Sequence, residues 1–394
     1  MPPQIRERLA LCACGFFSAA SVRATDTLIP VFAREFAVSI GTASTLLTGF
    51  LLAYGLMQWV FGPLAQHHGT VRVMLYALAG STLMNLGVAL ADSYHTLLVF
   101  RTLAGASAAG IVPLCLARIA ETVPLVNRQS AIARFSLATI TGLMAGQWMA
   151  GRMADTVGWR VTFVILSCGF LISLLALRRH SPTPQAMPKQ PGTITLRYVV
   201  TALQSPGALS TLGLTTLLAS FGSGVLSFVV ASLRHTTQMT LSDAGLLTVC
   251  IGAGGLLYAA FAPKILERTP LPRLALCAGV LLCMALTSLA VVREPWQVAL
   301  ACLAAGLGYY AALNIMQTAA TEFAPDLKPT AVTLFASCLF CTQALAVLVW
   351  GQVVDRLGFP VLFVIGGCGA LLFGLLLRGF LTTGSPLSAR VAPR

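Results

Sequence analysis

The sequence predicts an all-α polytopic membrane protein with twelve transmembrane helices in two six-helix halves. Composition sets the solvent: 57% of the 394 residues are hydrophobic and 9% charged, with a mean hydropathy of +0.84, whereas a soluble chain carries about a quarter charged residues. Apolar runs recur along the whole chain, each close to the roughly 20 residues that cross a hydrocarbon core of about 30 Å. They fall near residues 9–32, 42–65, 73–91, 96–117, 131–150, 161–177, 208–231, 244–263, 274–292, 297–318, 331–350 and 359–377. In lipid a run of this kind must close its own backbone hydrogen bonds, so each is a helix.

The division into halves comes from a duplication. Residues 151–165 (GRMADTVGWRVTFVI) recur as 351–365 (GQVVDRLGFPVLFVI), with seven of fifteen positions identical, among them Gly151/Gly351, Asp155/Asp355, Gly158/Gly358 and Phe163/Phe363. The pairs Thr48/Thr248, Gly55/Gly255, Phe61/Phe261, Pro63/Pro263 and Phe135/Phe335 keep the same offset. Six spans therefore fall in residues 1–178 and six in 208–394, with 179–207 as a cytoplasmic linker. The four prolines of RRHSPTPQAMPKQPGTITL suit a connection that does not pack as a domain. Paired repeats are the plan of many carriers, whose substrate site lies between them.

An even number of spans puts both termini on one side. Sixteen of the 25 Lys and Arg flank spans on that side, six flank them on the other, and Arg23, Arg101 and Arg134 fall within spans. The excess of basic residues makes the terminal side cytoplasmic. Anionic lipid headgroups then account for the net charge of +13, and no nucleic-acid-binding domain is implied. Arg6 and Arg8 before an apolar run, with small residues at 18–21, have the outline of a cleaved leader. Cleavage would leave eleven spans and an unpaired repeat, so the first run is kept as a span.

Several motifs read more simply as packing than as chemistry. All eleven cysteines fall inside spans, where a free thiol behaves as a small hydrophobe. Cys338 and Cys341 form a CxxC without the exposure or further ligands that a redox or metal site needs. His67 and His68 sit in the loop after span two with no acidic or cysteine partner nearby in sequence. Gly252, Gly254 and Gly255 lie mid-span with no strand before them, so close helix packing explains them better than a dinucleotide fingerprint. No cofactor or metal is implied, and the spans offer no reactive constellation of the kind an enzyme needs.

The sharpest functional signal is charge inside the hydrocarbon, which costs roughly 2.5–3.5 kcal/mol per group on insertion scales and ordinarily faces a cavity or a partner. Arg23, Asp26 and Arg101 are the central ionisable groups, and Asp26 is the sole carboxylate within a span. Asp26 and Arg101 both lie about 8 Å from the outer edge at 1.5 Å per residue, so they are expected at one depth. Arg23 is three residues before Asp26, on the same helical face. Three roles follow for the cluster: a proton site at Asp26 that releases Arg101, an anchor for an anionic substrate, and a static bridge between spans one and four. Ala138, Gly142, Gly146 and Ala150 form a small-residue ridge on span five, either a close helix contact or a moving one. Polar groups available to line a cavity are Tyr54, Gln58, Asn85, Gln147, Asn314, Gln317 and Gln343, with Trp59, Trp148, Tyr258, Tyr309 and Tyr310 as walls.

Over nearly its whole length the chain resembles the major facilitator superfamily. Span four opens on Arg101-Thr-Leu-Ala-Gly105 and continues with Ala106, Ala108, Ala109 and Gly110, similar to that family's fourth-span motif. Gly142, Gly146, Gln147, Ala150 and Gly151 resemble its antiporter signature, with Gln147 where Pro and Ala150 where Gly is usual. Asp155, Gly158, Trp159, Arg160 and Phe163 are similar to the entry into span six of drug:proton antiporters. Gly62, Gly69 and Arg72 resemble the signature between spans two and three, with Gln66 at the expected Asp and His67 at a usually basic position. The resemblance implies the major facilitator fold, a cavity lined by spans one, four, seven and ten, and so favours Tyr309, Tyr310, Asn314 and Gln317 over Asn85. It implies a monomeric secondary transporter of the inner membrane, carrying a small molecule, coupled to protons and acting in efflux. An uptake symporter or organic-anion exchanger, and a receptor that transports nothing, are the alternatives.

Overall fold

The computed structural model describes residues 3–181 and 196–383. The described residues build fifteen α-helices. They are α1 Pro3–Glu35, α2 Ile40–His68, α3 Thr70–Ala89, α4 Tyr94–Ala108, α5 Ile111–Thr122, α6 Leu125–Thr156, α7 Arg160–His180, α8 Leu196–Gln204 and α9 Ala208–Leu218. Then follow α10 Val229–Thr237, α11 Leu241–Arg268, α12 Leu271–Leu289, α13 Pro295–Glu322, α14 Lys328–Leu357 and α15 Phe359–Thr383. Among the described residues, ten segments are long and apolar enough to cross a membrane by length and composition, with α4 and α5 counted as one segment and Ala208–Thr237 as another. The comparably long α1 and α6, of 33 and 32 residues, are the more polar ones. They carry Arg23, Asp26, Arg128, Arg134, Arg152 and Asp155.

Local chemistry sets the breaks. Ser39 caps α2 by accepting the Thr42 amide at 3.0 Å, and Ser93 with Thr96 closes a capping box on α4. Gly69, at φ 86°, takes the left-handed backbone that parts α2 from α3. The break between α4 and α5 precedes Pro113, whose missing amide leaves a carbonyl of the preceding turn without its helical partner. Gly110 at this break lies under the Phe61 ring, where a Cβ would come within 2.4 Å. Between α9 and α10 the residues Ala219–Gly224 form a π-helical turn. Such turns free a backbone carbonyl and concentrate at functional sites.

Two compact units emerge. The first holds α1–α7 with residues 239–246, the first turn of α11. Within it α1 lies along α6 and α7, α3 along α7 and α4, and α2 along α4. The second holds α8–α10 and residues 247 onward, with α12 against α13 and α15, and α14 against α9, the π turn and α15. Of the linker expected at 179–207, residues 182–195 lie outside the described residues and Arg179 and His180 end α7. The last part of the linker, Leu196–Gln204, is the helix α8. Val199, Ala202 and Leu203 give it an amphipathic period too short to register as a span.

Candidate functional site

The charged residues singled out in the sequence meet in the first unit, on a scaffold made by glycine. A Cβ at Gly142 would lie 2.3 Å from the Phe16 carbonyl oxygen, and one at Gly146 would lie 2.4 Å from that of Ala20. The ridge of α6 thus receives the backbone of α1 directly, an approach that only glycine permits. About two turns beyond Ala20 on α1, the Thr27 hydroxyl donates to the Gln147 carbonyl at 3.2 Å. The third glycine, Gly151, lies beside the carbonyl of Leu241, where a Cβ would come within 2.3 Å. Four residues on, the Ser242 amide donates to Asp155 Oδ2 at 2.6 Å, so a carboxylate caps the first turn of α11.

Asp26 is buried at 2% exposure. Its Oδ2 accepts from Arg23 Nη1 at 2.7 Å. Arg101, expected as its partner, is fully buried and donates instead to the Ser21 carbonyl at 3.2 Å. The guanidinium carbon stands 4.3 Å from the centroid of the Phe50 ring and 5.3 Å from that of Phe163, so two aromatic faces hold the cation. Asp26 acts on Arg101 electrostatically without an ion pair between them. Nε and Nη1 of Arg101 meet no acceptor among the described residues. A desolvated guanidinium with two donor nitrogens unused is costly.

Around this centre Tyr54 is buried and stacks on Phe50 with ring centroids 6.0 Å apart, and Gln147 is buried beside α1. Gln58 is half-buried. Ser21 and Asn85 join the site as residues that the sequence reading passed over or ranked low. Ser21 Oγ donates to Asn85 Oδ1 at 3.4 Å while the Asn85 amide nitrogen donates to the Ser81 carbonyl at 2.7 Å. Asn85 thus braces the very residue whose carbonyl receives Arg101.

In the second unit the remaining candidates divide. Tyr309 is buried against Gly222 of the π turn, and Tyr310 meets its ring edge-on at 5.5 Å. The Trp350 indole donates to the Ser220 carbonyl in that turn at 2.8 Å, and Gln343 reaches the Ser227 hydroxyl at 3.5 Å. Asn314 and Gln317 are exposed on α13, and Tyr258 donates to Asn314 Oδ1 at 3.5 Å. Gly254 and Gly255 are close-packing positions: a Cβ would come within 2.3 Å of the Leu303 carbonyl and 2.5 Å of the Tyr310 ring. Cys338 and Cys341 are free thiols, and no group of metal-binding residues occurs among the described residues.

The cytoplasmic end expected for the first unit carries a polar network. Arg118 Nε donates to Glu7 Oε1 at 2.8 Å and its Nη1 to Glu121 Oε2 at 3.4 Å. Ser181 donates to Glu7 at 3.0 Å, and Thr70 donates to Glu121 at 2.7 Å. Four residues after Gln66, Thr70 thus ties the loop between α2 and α3 to an acid on α5. At the other end Glu35 accepts from Arg160 at 2.8 Å and from the Trp159 indole, and Arg160 also reaches the Ala91 carbonyl at 3.2 Å.

Apolar helices long enough to span a membrane, with ionisable side chains sealed inside one of two units, define a multi-pass membrane protein. Comparison with known proteins agrees. The sequence profile of the Major Facilitator Superfamily matches residues 11–325 and 212–394. YceJ of Bacillus subtilis (strain 168), an uncharacterized MFS-type transporter, is 26% identical over 281 residues, covering 69% of this chain and 70% of that protein. The multidrug resistance protein MdtG of Enterobacter lignolyticus is 24% identical over 317 residues, 77% of this chain and 74% of the relative. A solved bacterial homologue of the human lysosomal transporter Spinster superposes over 100% of both chains with a TM-score of 0.76 at 18% identity, a likeness of fold. The chain belongs to the Major Facilitator Superfamily.

Proposed function

We propose that this chain is a proton-coupled efflux carrier for a small organic compound, working as a monomer in the cytoplasmic membrane with both termini in the cytoplasm. The observation that carries the reading is Arg101, fully buried with two donors unused, beside an Asp26 that is paired to Arg23. Protonation of Asp26 dissolves the Arg23 pair and removes the negative charge that acts on Arg101. The two protonation states then favour different arrangements of α1 and α4, which is the differential energy that alternating access needs. Likeness to multidrug resistance proteins supports efflux of an amphiphilic compound. Apolar walls around few polar groups suit the same substrates.

The unused donors favour one second reading. They match a carboxylate or phosphate group, so an anionic substrate held at Arg101 would make the chain an anion exchanger or a symporter. Purified protein in liposomes under an imposed pH gradient, given a panel of drugs and metabolites with an internal pH dye, separates these. Efflux predicts that a cationic or neutral amphiphile collapses the gradient as it moves. Flux of organic anions alone, without proton movement, favours the exchanger, and the absence of any flux favours a receptor.

A further inference from the structure

The second unit carries a groove that takes in Tyr258 alone of the candidate cavity residues. At Gly254 and Gly306 the helices α11 and α13 touch backbone to backbone: a Cβ at Gly306 would lie 2.0 Å from the Ile251 carbonyl oxygen. Beyond that contact, along the last turns of α11, a cavity of about 400 Å³ opens. Leu257, Phe261 and Ile265 line it at intervals of four residues, with Leu307 opposite on α13. Lys264 and Arg268, one turn apart, join the lining together with Thr269. Phe261 is 50% exposed and Leu257 41%, so the floor is an open apolar stripe.

We propose that this groove binds an anionic phospholipid of the inner leaflet, its phosphate on Lys264 and Arg268 and its acyl chain along Leu257, Phe261 and Ile265. The apolar stripe runs about 12 Å along the helix from Leu257 to Ile265, at 1.5 Å per residue, with Lys264 joining it in its last turn and Arg268 following it. Polarity therefore changes along the groove in the order in which a lipid changes from chain to headgroup. A basic pocket between spanning helices at the cytoplasmic face is the arrangement that collects anionic headgroups. Neither cation is engaged by an ion pair among the described residues, although Glu267 stands between them in sequence. Glu267 does not line the cavity. The proposal takes the cytoplasmic placement of Lys264 and Arg268 from the topology above and takes nothing from coupling or substrate.

The test is binding of dioctanoyl phosphatidylglycerol to full-length protein in neutral detergent, read as a shift in thermal unfolding, with dioctanoyl phosphatidylcholine and free glycerol phosphate as comparisons. The glycerol lipid should stabilise the protein, and neither comparison should. Lys264→Gln with Arg268→Gln should weaken its binding about thirtyfold, the worth of two surface cations toward an anionic headgroup. Arg178→Gln with Arg179→Gln, equal in charge and not among the residues that line the groove, should leave binding unchanged. Phe261→Glu keeps both cations and places a carboxylate in the acyl path, so it too should weaken binding. Equal stabilisation by the two lipids, unaltered binding in the Lys264/Arg268 variant, or equal binding of glycerol phosphate alone would overturn the proposal. Topology is read separately by accessibility labelling, so an error there shows as a misplaced face and not as lost lipid selectivity.

Discussion

Replacing Gly146 by alanine adds one methyl group where the structure leaves no room for it. The new Cβ would lie 2.4 Å from the Ala20 carbonyl oxygen and 2.7 Å from Ala20 Cα. Carbon and oxygen come to rest at about 3.3 Å, so α1 and α6 must separate by roughly 1 Å. Both obstructing atoms belong to backbone, and no side-chain rotation relieves the overlap. Overpacking of this kind costs about 1–3 kcal/mol. Asp26 lies six residues further along α1, about 9 Å from Ala20 at 1.5 Å per residue. Displacing α1 therefore shifts the Arg23–Asp26 pair and the Ser21 carbonyl relative to Arg101 on α4. Purified Gly146→Ala should unfold several degrees lower than the parent and transport more slowly while still inserting. Gly142→Ala, whose Cβ would lie 2.3 Å from the Phe16 carbonyl, should behave alike. Gly213→Ala is the control, because a Cβ there meets nothing within 4 Å. Equal melting temperature and flux in the Gly146 and Gly213 variants would refute the reasoning.

Arg118→Ala removes the cation paired with Glu7, which is 6% exposed and keeps the Ser181 hydroxyl as a donor, and should destabilise the protein by about 3 kcal/mol, while Glu7→Gln with Arg118→Gln recovers much of that loss in thermal unfolding. Asp155→Ala removes the carboxylate that accepts the Ser242 amide, and amide exchange in the first turn of α11 should accelerate about fivefold, the equivalent of one lost cap; unchanged exchange would mean that Thr240 and Asp243 alone hold that turn. Accessibility labelling of single cysteines should place His67 in the cytoplasm and Asp92 and Asp355 outside, and labelling of His67→Cys from outside would reverse the proposed topology.

How much of this was legible in the sequence depended on whether a feature is local. Spans were legible because hydropathy is a property of a window, and only α1 and α6 blur it, through charges of which Arg23 and Asp26 also mark the site. Arg101 and Asp26 stood out because a charge in an apolar run is costly unless it faces a cavity or a partner. Their partners did not. Phe50 and Phe163 are two among 20 phenylalanines, and nothing local separates a ring beneath a guanidinium from one that fills the core. Ser21 contributes a backbone carbonyl, which every residue has. The Arg118–Glu7 pair joins residues 111 positions apart, a distance that no motif spans. Gly142 and Gly146 were readable as part of a ridge on α6, but that they meet α1, while Gly151 meets Leu241, shows only in the fold.

Coupling at Asp26 is the central claim, and flux through Asp26→Asn tests it most directly. The amide mimics the protonated acid, so the variant should lose uphill transport under a pH gradient yet retain substrate exchange when no gradient is applied. Parent and variant are reconstituted side by side, with substrate and proton movement recorded in the same vesicles. The account predicts exchange near the parent rate with no proton movement in the variant. Uphill, proton-linked transport by Asp26→Asn, alone or with Arg101→Gln, would contradict it.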